Sequence, residues 1–299
     1  MRVISLGSGS SGNALVAQVG AAAVLLDAGF PLRTLLGRLR QANIAPESVG
    51  AILLTHEHHD HACGAVAFSR RYGVPLIANP ATLAAVLAQP ARGQAEPFDP
   101  ASVERVELPL GREVTIAGLR ARSFPVSHDA VAPAGYLISS GAWRLCFITD
   151  SGMVNEPMIE AMGEASLLVI ESNHDRERLL RGPYPWHLKQ RILSPTGHLA
   201  NDQTSEALLR VLDDAPRWVW LGHLSRTNNT PDIARAHLRE RLRQVGLRHI
   251  EPRIAPPSVG EVWDSATLWG QPAPARPDSA EPPTSDAATP AVQPARRQS

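Results

Sequence analysis

Apolar positions along this chain come in short runs of two kinds, and the alternation between them predicts layered β and α elements. Arg2 to Leu6, Ala14 to Val19 and Ala22 to Leu26 are apolar or alternating runs separated by Gly-rich turns, the pattern of neighbouring strands in one sheet. A helix is predicted next, because Pro31 suits a first helical turn and Leu32, Leu35, Leu36 and Leu39 recur at helical spacing through Arg40. Strand Ala51 to Leu54, a polar loop, a helix from about Gly64 to Tyr72, strand Pro75 to Ala78 and helix Ala81 to Leu87 continue the alternation. The second half predicts a strand or hairpin over Arg112 to Pro125, strands Gly135 to Ser139 and Trp143 to Thr149, a helix, and strand Leu167 to Ile170. Helices Gln203 to Leu212 and Pro231 to Val245 follow, with strand Trp218 to Leu221 between them and a last strand near Val259 to Trp263. Both halves thus fit an α/β architecture in which two mixed sheets stack face to face with helices on both outer sides.

The 299 residues, 43% hydrophobic, suffice for a sizeable core, which the pattern places in one domain over residues 1–270. From 271 to 299 the composition turns to Pro, Ala, Ser and Thr, with too few aliphatic side chains to offset an ordering cost of about 1–2 kcal/mol per residue, so disorder is expected there. Formal charge is zero and Lys189 is the only lysine, so no global positive field argues for a polyanion; binding one would depend on local placement of Arg176, Arg178, Arg181, Lys189, Arg191 and Arg226. Cys63 and Cys146 cannot make a disulfide framework, Met1 to Ser10 lack the features of a secretory signal, and no run approaches the roughly 20 apolar residues of a membrane span. A reducing cytoplasm and no membrane partner are expected.

Gly7, Gly9 and Gly12 follow a strand, with Asp27 about twenty residues on, which imitates a dinucleotide-binding fingerprint. That motif needs a helix opening on its last glycine, whereas Asn13 to Leu26 is β-rich and broken by Gly20. The loop serves better as a turn offering hydroxyls and backbone N–H groups to an anion, with Ser10, Ser11 and Asn13 as candidates, or simply as a tight turn between strands.

The strongest chemical signal is Thr55-His56-Glu57-His58-His59-Asp60-His61, directly after the apolar run Ala51 to Leu54, where four of the chain's eleven histidines fall. A strand feeding imidazoles and a carboxylate into one tight loop is a way to hold a borderline metal such as zinc and so to activate water. His128, Asp150 and His223 each lie just past a predicted strand, the same placement, and Asp150 between two imidazole sets suits a bridging ligand.

These residues resemble the metallo-β-lactamase-fold hydrolases, whose T-H-x-H-x-D-H motif is matched by Thr55, His56, His58, Asp60 and His61. The resemblance spans about residues 1–265 and implies the four-layer αββα fold. It implies His56, His58 and His128 on one divalent cation, Asp60, His61 and His223 on a second, Asp150 bridging, and Asp27 supporting the loop from behind. Catalysis would use a hydroxide shared by the two ions, oriented by Asp60 and Asp150. His59 stands where the family usually has a small residue, and is expected to face outward; Cys63 and Cys146 are expected to be packing residues. Ser5 to Asn13, Glu171-Ser172-Asn173-His174-Asp175, Gly182-Pro183-Tyr184-Pro185, Gly197-His198-Leu199 and His223-Leu224-Ser225 with Asn228-Asn229 look like the YycJ/WalJ type. That type implies a cytoplasmic phosphodiesterase acting on DNA, 5′-exonuclease-like, with Zn2+ or Mn2+. His174, His198 and Asn229 join Ser10, Ser11 and Asn13 as expected substrate contacts. Competing readings are a hydrolase of small esters, thioesters or lactones, a DNA-binding scaffold around structural metal, and an oxygen-reducing di-iron protein. Carboxylates mixed with His oppose the scaffold, whose closed sites favour Cys, and the di-iron reading would want acids at His58 and His61.

Overall fold

The structure, a computed structural model, describes residues 1–89 and 99–268, so the expected tail over 271–299 lies outside the described residues. The first sheet holds β1 (Arg2–Gly7), β2 (Ala14–Val19), β3 (Ala22–Leu26), β4 (Val49–Leu53), β5 (Leu76–Ala78) and β6 (Arg105–Glu107). The second holds β7 (Glu113–Ile116), β8 (Leu119–Pro125), β9 (Ala134–Ser140), β10 (Trp143–Ile148), β11 (Leu167–Glu171), β12 (Trp218–Gly222) and β13 (Arg253–Ile254). A final strand, β14 (Gly260–Asp264), returns to the first sheet and pairs antiparallel with β1, Arg2 opposite Asp264. Strand order is β14-β1-β2-β3-β4-β5-β6 in one sheet and β13-β12-β11-β10-β9-β8-β7 in the other. In each sheet one half is antiparallel and the other parallel: β3 to β6 run parallel, as do β10 to β13.

Strand sequences explain the layering. Along β4, Ala51 and Leu53 face the space between the sheets while Ile52 and Leu54 face outward, and along β10 Leu145 and Phe147 point inward while Cys146 and Ile148 point outward. These strands are buried on both faces, which is why they read as continuous apolar runs. The outer face of the first sheet is covered by α1 (Leu32–Gln41), α3 (Ala65–Tyr72) and α4 (Pro80–Ala88). The outer face of the second is covered by α5 (Glu156–Glu164), α8 (Asn201–Leu209) and α9 (Pro231–Gln244). Helix α9 shows the local logic: Thr230 caps it by accepting from Ile233 N–H, Pro231 opens it, and Ala234, Leu238 and Leu242 are buried four residues apart. The result is the expected αββα arrangement.

Some elements depart from the sequence reading. A one-turn helix, α2 (His59–Ala62), forms inside the His-rich loop, and α6 (Arg176–Arg181), α7 (Trp186–Leu193), β6 and β13 are too short to show a period. After Gly12 the chain enters β2 and not a helix, so the dinucleotide-binding geometry is absent there. Among the described residues no helix is long and apolar enough to cross a membrane.

The site-bearing loops pack without spare volume. A Cβ on Gly29 would lie 1.6 Å from Asp60 O and 2.7 Å from Asn13 N, both backbone atoms. Gly29→Ala is therefore expected to lower stability by about 1–3 kcal/mol through forced backbone displacement. Urea denaturation checks this, and a midpoint equal to the parent protein's would refute the packing argument.

Candidate metal centre

The carboxylate of Asp27 organises the loop that carries the first ligands. Asp27 follows β3 at φ 60, a left-handed conformation unusual for a non-glycine residue, and is fully buried. Its oxygens accept from Thr55 N–H at 2.8 Å, from the Thr55 hydroxyl at 2.9 Å and from His61 Nδ1 at 2.7 Å. Having given its one proton to Asp27, the Thr55 hydroxyl accepts from His56 Nδ1 at 2.9 Å. Both imidazoles are thereby oriented with Nδ1 engaged and Nε2 turned to the site as the nitrogen available to a metal. Backbone bonds lace this loop to its neighbours, with Asn13 N–H donating to Asp60 O, Ala28 N–H to His61 O and Gly29 N–H to Asn13 O.

The remaining side chains arrive from the second sheet. Because β10, β11 and β12 are parallel neighbours, the residues at their C-terminal ends, Asp150, Glu171 and His223, come into line. Asp150 (φ 47) and His223 (φ 51) are left-handed like Asp27. Such residues cost on the order of 1–3 kcal/mol each, retained where the surroundings over-determine the geometry. His128, beyond β8, donates Nδ1–H to Gly197 O at 3.1 Å, which leaves its Nε2 3.3 Å from His58 Nδ1. Asp150 Oδ2 lies 2.9 Å from His61 Nε2, 3.4 Å from His56 Nε2 and 3.8 Å from His128 Nε2, while its Oδ1 contacts His223 Nδ1. Asp60 Oδ2 lies 3.6 Å from His61 Nε2 and 3.7 Å from His223 Nε2.

All seven expected ligand side chains thus meet at one place. The ligand atoms of His56, His58 and His128 lie within 4.8 Å of one another, as do those of Asp60, His61, Asp150 and His223, and both groups could hold a metal ion. The donor chemistry fits a cation: His56 Nε2 and His223 Nε2 are buried with no hydrogen-bond partner, a costly state that a metal would relieve. Burial, joined by repulsion from His61, keeps His56 well below its ordinary imidazole value, and burial likewise lowers His128, so both are neutral donors. Burial opposes charge on Asp150, but His223 and His61 overcome it and hold the carboxyl ionised. His61 and His223, buried too, keep protons because of Asp150; a bound cation would displace them.

Glu171, absent from the residues expected at the site, is built into it. It is fully buried at the end of β11, accepts from His223 Nδ1 at 2.9 Å and His198 Nδ1 at 2.8 Å, and is fixed by Ser151 N–H and Leu199 N–H. Burial would raise its pKa, but His198 and the hydrogen bonds hold it at about 2. Its position just past an apolar strand, shared with Asp150 and His223, was the available signal.

The expected substrate contacts divide. Ser10 and His198 line an open cleft of about 280 Å³ with His58, Asp60, His128, Asp150 and His223, walled by Tyr184, Leu188 and Arg191. Ser11 is exposed at the rim and accepts from Arg226 at 2.9 Å. Asn13, His174 and Asn229, expected to touch substrate, are instead buried and absent from the cleft wall. Asn13 Nδ2 sits 3.0 Å from His61 Nε2 and its Oδ1 accepts from Gly9 N–H; Asn229 donates to Ser172 O and Asn201 Oδ1. Both hold loops together, and His174 is fully buried, its backbone bridging to Ala200. His59 is exposed, as expected, and Cys63, whose thiol is pushed up to about 11 by burial and Asp60, belongs to none of the clusters that could hold a metal. Of the basic residues, Arg191 lies on the cleft, bonded to Asp129 at 2.6 Å, Arg176 pairs with Asp202, and Lys189 is buried against Leu180 O.

If Asp27 orients His61, Asp27→Asn should weaken metal affinity about 10- to 100-fold, since an amide NH2 opposes His61 Nδ1–H. Competition with a chromogenic chelator measures this; unchanged affinity in a folded variant would refute the role.

Comparison with known proteins agrees with this geometry. A family model described as a beta-lactamase superfamily domain matches residues 22–223. An exodeoxyribonuclease WalJ of Streptococcus pneumoniae is 37% identical over 242 residues, covering 81% of this chain and 88% of that protein. An exodeoxyribonuclease YycJ of Bacillus anthracis is 35% identical over 242 residues, covering 81% and 89%. The crystal structure of the metallo-beta-lactamase fold protein YhfI from Bacillus subtilis superimposes with TM-score 0.65 at 18% identity, covering 88% of this chain and 98% of that one, a likeness of fold. The chain belongs to the beta-lactamase superfamily and, within it, to the WalJ/YycJ group of metallo-β-lactamase-fold proteins.

Proposed function

We propose that this protein is a metal-dependent phosphodiesterase acting on DNA, 5′-exonuclease-like, in the reducing cytoplasm. The observation that carries the reading is the convergence of His56, His58, His128, Asp60, His61, His223 and Asp150, five of which line one open cleft, joined to the name exodeoxyribonuclease borne by relatives aligned over most of their length. His56, His58 and His128 would hold one divalent cation, Zn2+ or Mn2+, and Asp60, His61 and His223 a second, with Asp150 between them. Such ions supply Lewis-acid polarisation of a phosphoryl oxygen and a water of near-neutral pKa. Cys63 and Cys146 are free thiols, in keeping with a reducing compartment.

The chain's own groups perform the rest. Ionised Asp60 and Asp150 fix the anionic face against which the attacking water is oriented. Ser10 and Arg191 face the cleft and suit phosphate oxygens. His198 lies at the cleft with Nδ1 bound to Glu171; burial works against its charge, but Glu171 and Asp150 hold its pKa above the ordinary value. That leaves its other ring nitrogen to carry a proton to the leaving oxygen.

The test uses purified protein with manganese or zinc on 5′-labelled DNA, bis-p-nitrophenyl phosphate and a thioester. The expected result is release of nucleotides from DNA, loss on chelation and recovery on metal return. His198→Ala should lower kcat on DNA about 10²- to 10⁴-fold, with a smaller loss on the p-nitrophenyl ester, whose leaving group needs no proton. Turnover of the thioester alone would replace this reading with a small-ester hydrolase.

A further inference from the structure

Beside the metal cleft lies a second concavity of about 430 Å³, lined by Glu177, Arg178, Arg181, Gly182, Pro183 and Thr227. The two hollows share a wall: Tyr184 lines the cleft and donates its hydroxyl to Thr227 Oγ1, on the neighbouring hollow, at 3.2 Å. The connecting stretch is short, since Thr227 stands four residues after His223 and two after Ser225, which line the cleft.

The charge in this pocket is not balanced locally. Arg178 makes no ion pair among the described residues, although the residue lines a concave wall. Arg181 pairs with Glu177 at 2.6 Å, but those side chains are 80% and 66% exposed, and such a pair holds its partners weakly enough for another anion to take the arginine. Arg226, adjoining Thr227, extends the positive edge back toward Ser11. A side chain at Gly182 would meet Arg178 O at 2.7 Å and Asn228 Oδ1 at 2.9 Å, so the close approach of α6 to the Asn228 loop depends on glycine. Arg178, Arg181 and Thr227 line one hollow with a single carboxylate, Glu177, and two guanidinium forks with a hydroxyl suit the oxygens of a phosphodiester.

We infer that this pocket is the subsite for a backbone phosphate of the DNA strand next to the one cleaved. The inference rests on the proposed DNA substrate and adds how a chain of zero net charge would grip a polyanion: by guanidinium groups gathered at the cleft's edge.

The test compares the parent protein, Arg178→Ala/Arg181→Ala and Arg178→Glu on a labelled oligonucleotide and on bis-p-nitrophenyl phosphate, which is too short to reach the pocket. For the double variant, KM for the oligonucleotide should rise about tenfold at low salt with kcat little changed, and the dependence of log KM on log salt should flatten by about one to two phosphate contacts. Arg178→Glu should weaken binding further, and kcat/KM on the small ester should stay within about twofold. Oligonucleotide KM and salt dependence equal to the parent's would overturn the subsite, as would an equal loss on both substrates. A parent protein that turns over the small ester but no DNA would refute the substrate reading, and this inference with it.

Discussion

Four of the imidazoles at the centre of this protein have one nitrogen tied to a protein acceptor, and the site depends on that pinning. Thr55 holds His56, Asp27 holds His61, Gly197 O holds His128 and Glu171 holds His223. An imidazole so tied has its tautomer decided and its other nitrogen aimed, so the fold and not the ion pre-sets ligand direction. The arrangement is expensive: Asp27, Asp150, Glu171, His61 and His223 are charged or polar groups out of water, and three of them sit in left-handed backbone. Mutual pairing offsets much of the desolvation, and His56 Nε2 and His223 Nε2, buried among the ligands and still without partners, locate where a cation would complete the balance.

The fold places these acceptors where they are needed. In both sheets the parallel halves end at the same edge of the sandwich, so loops after β3 and β4 face loops after β10, β11 and β12. The apolar layer between the sheets is continuous from Val3 and Leu53 to Tyr136, Phe147 and Trp220, and holds those edges at fixed separation. Tyr136 ties the two sheets directly by donating its hydroxyl to Leu54 O at 2.6 Å.

Much of this was legible from residue order because the signals are local. Strands buried on both faces read as apolar runs, and a ligand just past such a run is visible without knowing its partners, as at His56, Asp150 and His223. What stayed hidden depends on contacts distant in sequence. That β14 would close the first sheet beside β1 is decided by pairing across the whole chain. Helix α6, rich in Arg and only one and a half turns long, and the two-turn α7 are too short to show a period, yet Tyr184 of their connection and Leu188 of α7 wall the cleft. Asn13 and Asn229 look like ligand contacts in a list of polar loop residues, and only burial reveals them as fasteners. Glu171 shares the placement of Asp150 just past an apolar strand, but that placement does not tell that two imidazoles lean on it.

The central claim is that these pinned side chains form a two-cation site. Elemental analysis of the purified protein, equilibrated with zinc or manganese and freed of unbound ion, tests it most directly. About two equivalents per chain are predicted, falling when Asp150 is replaced by Asn. A chain that retains no divalent metal, or retains it equally without Asp150, would contradict the account.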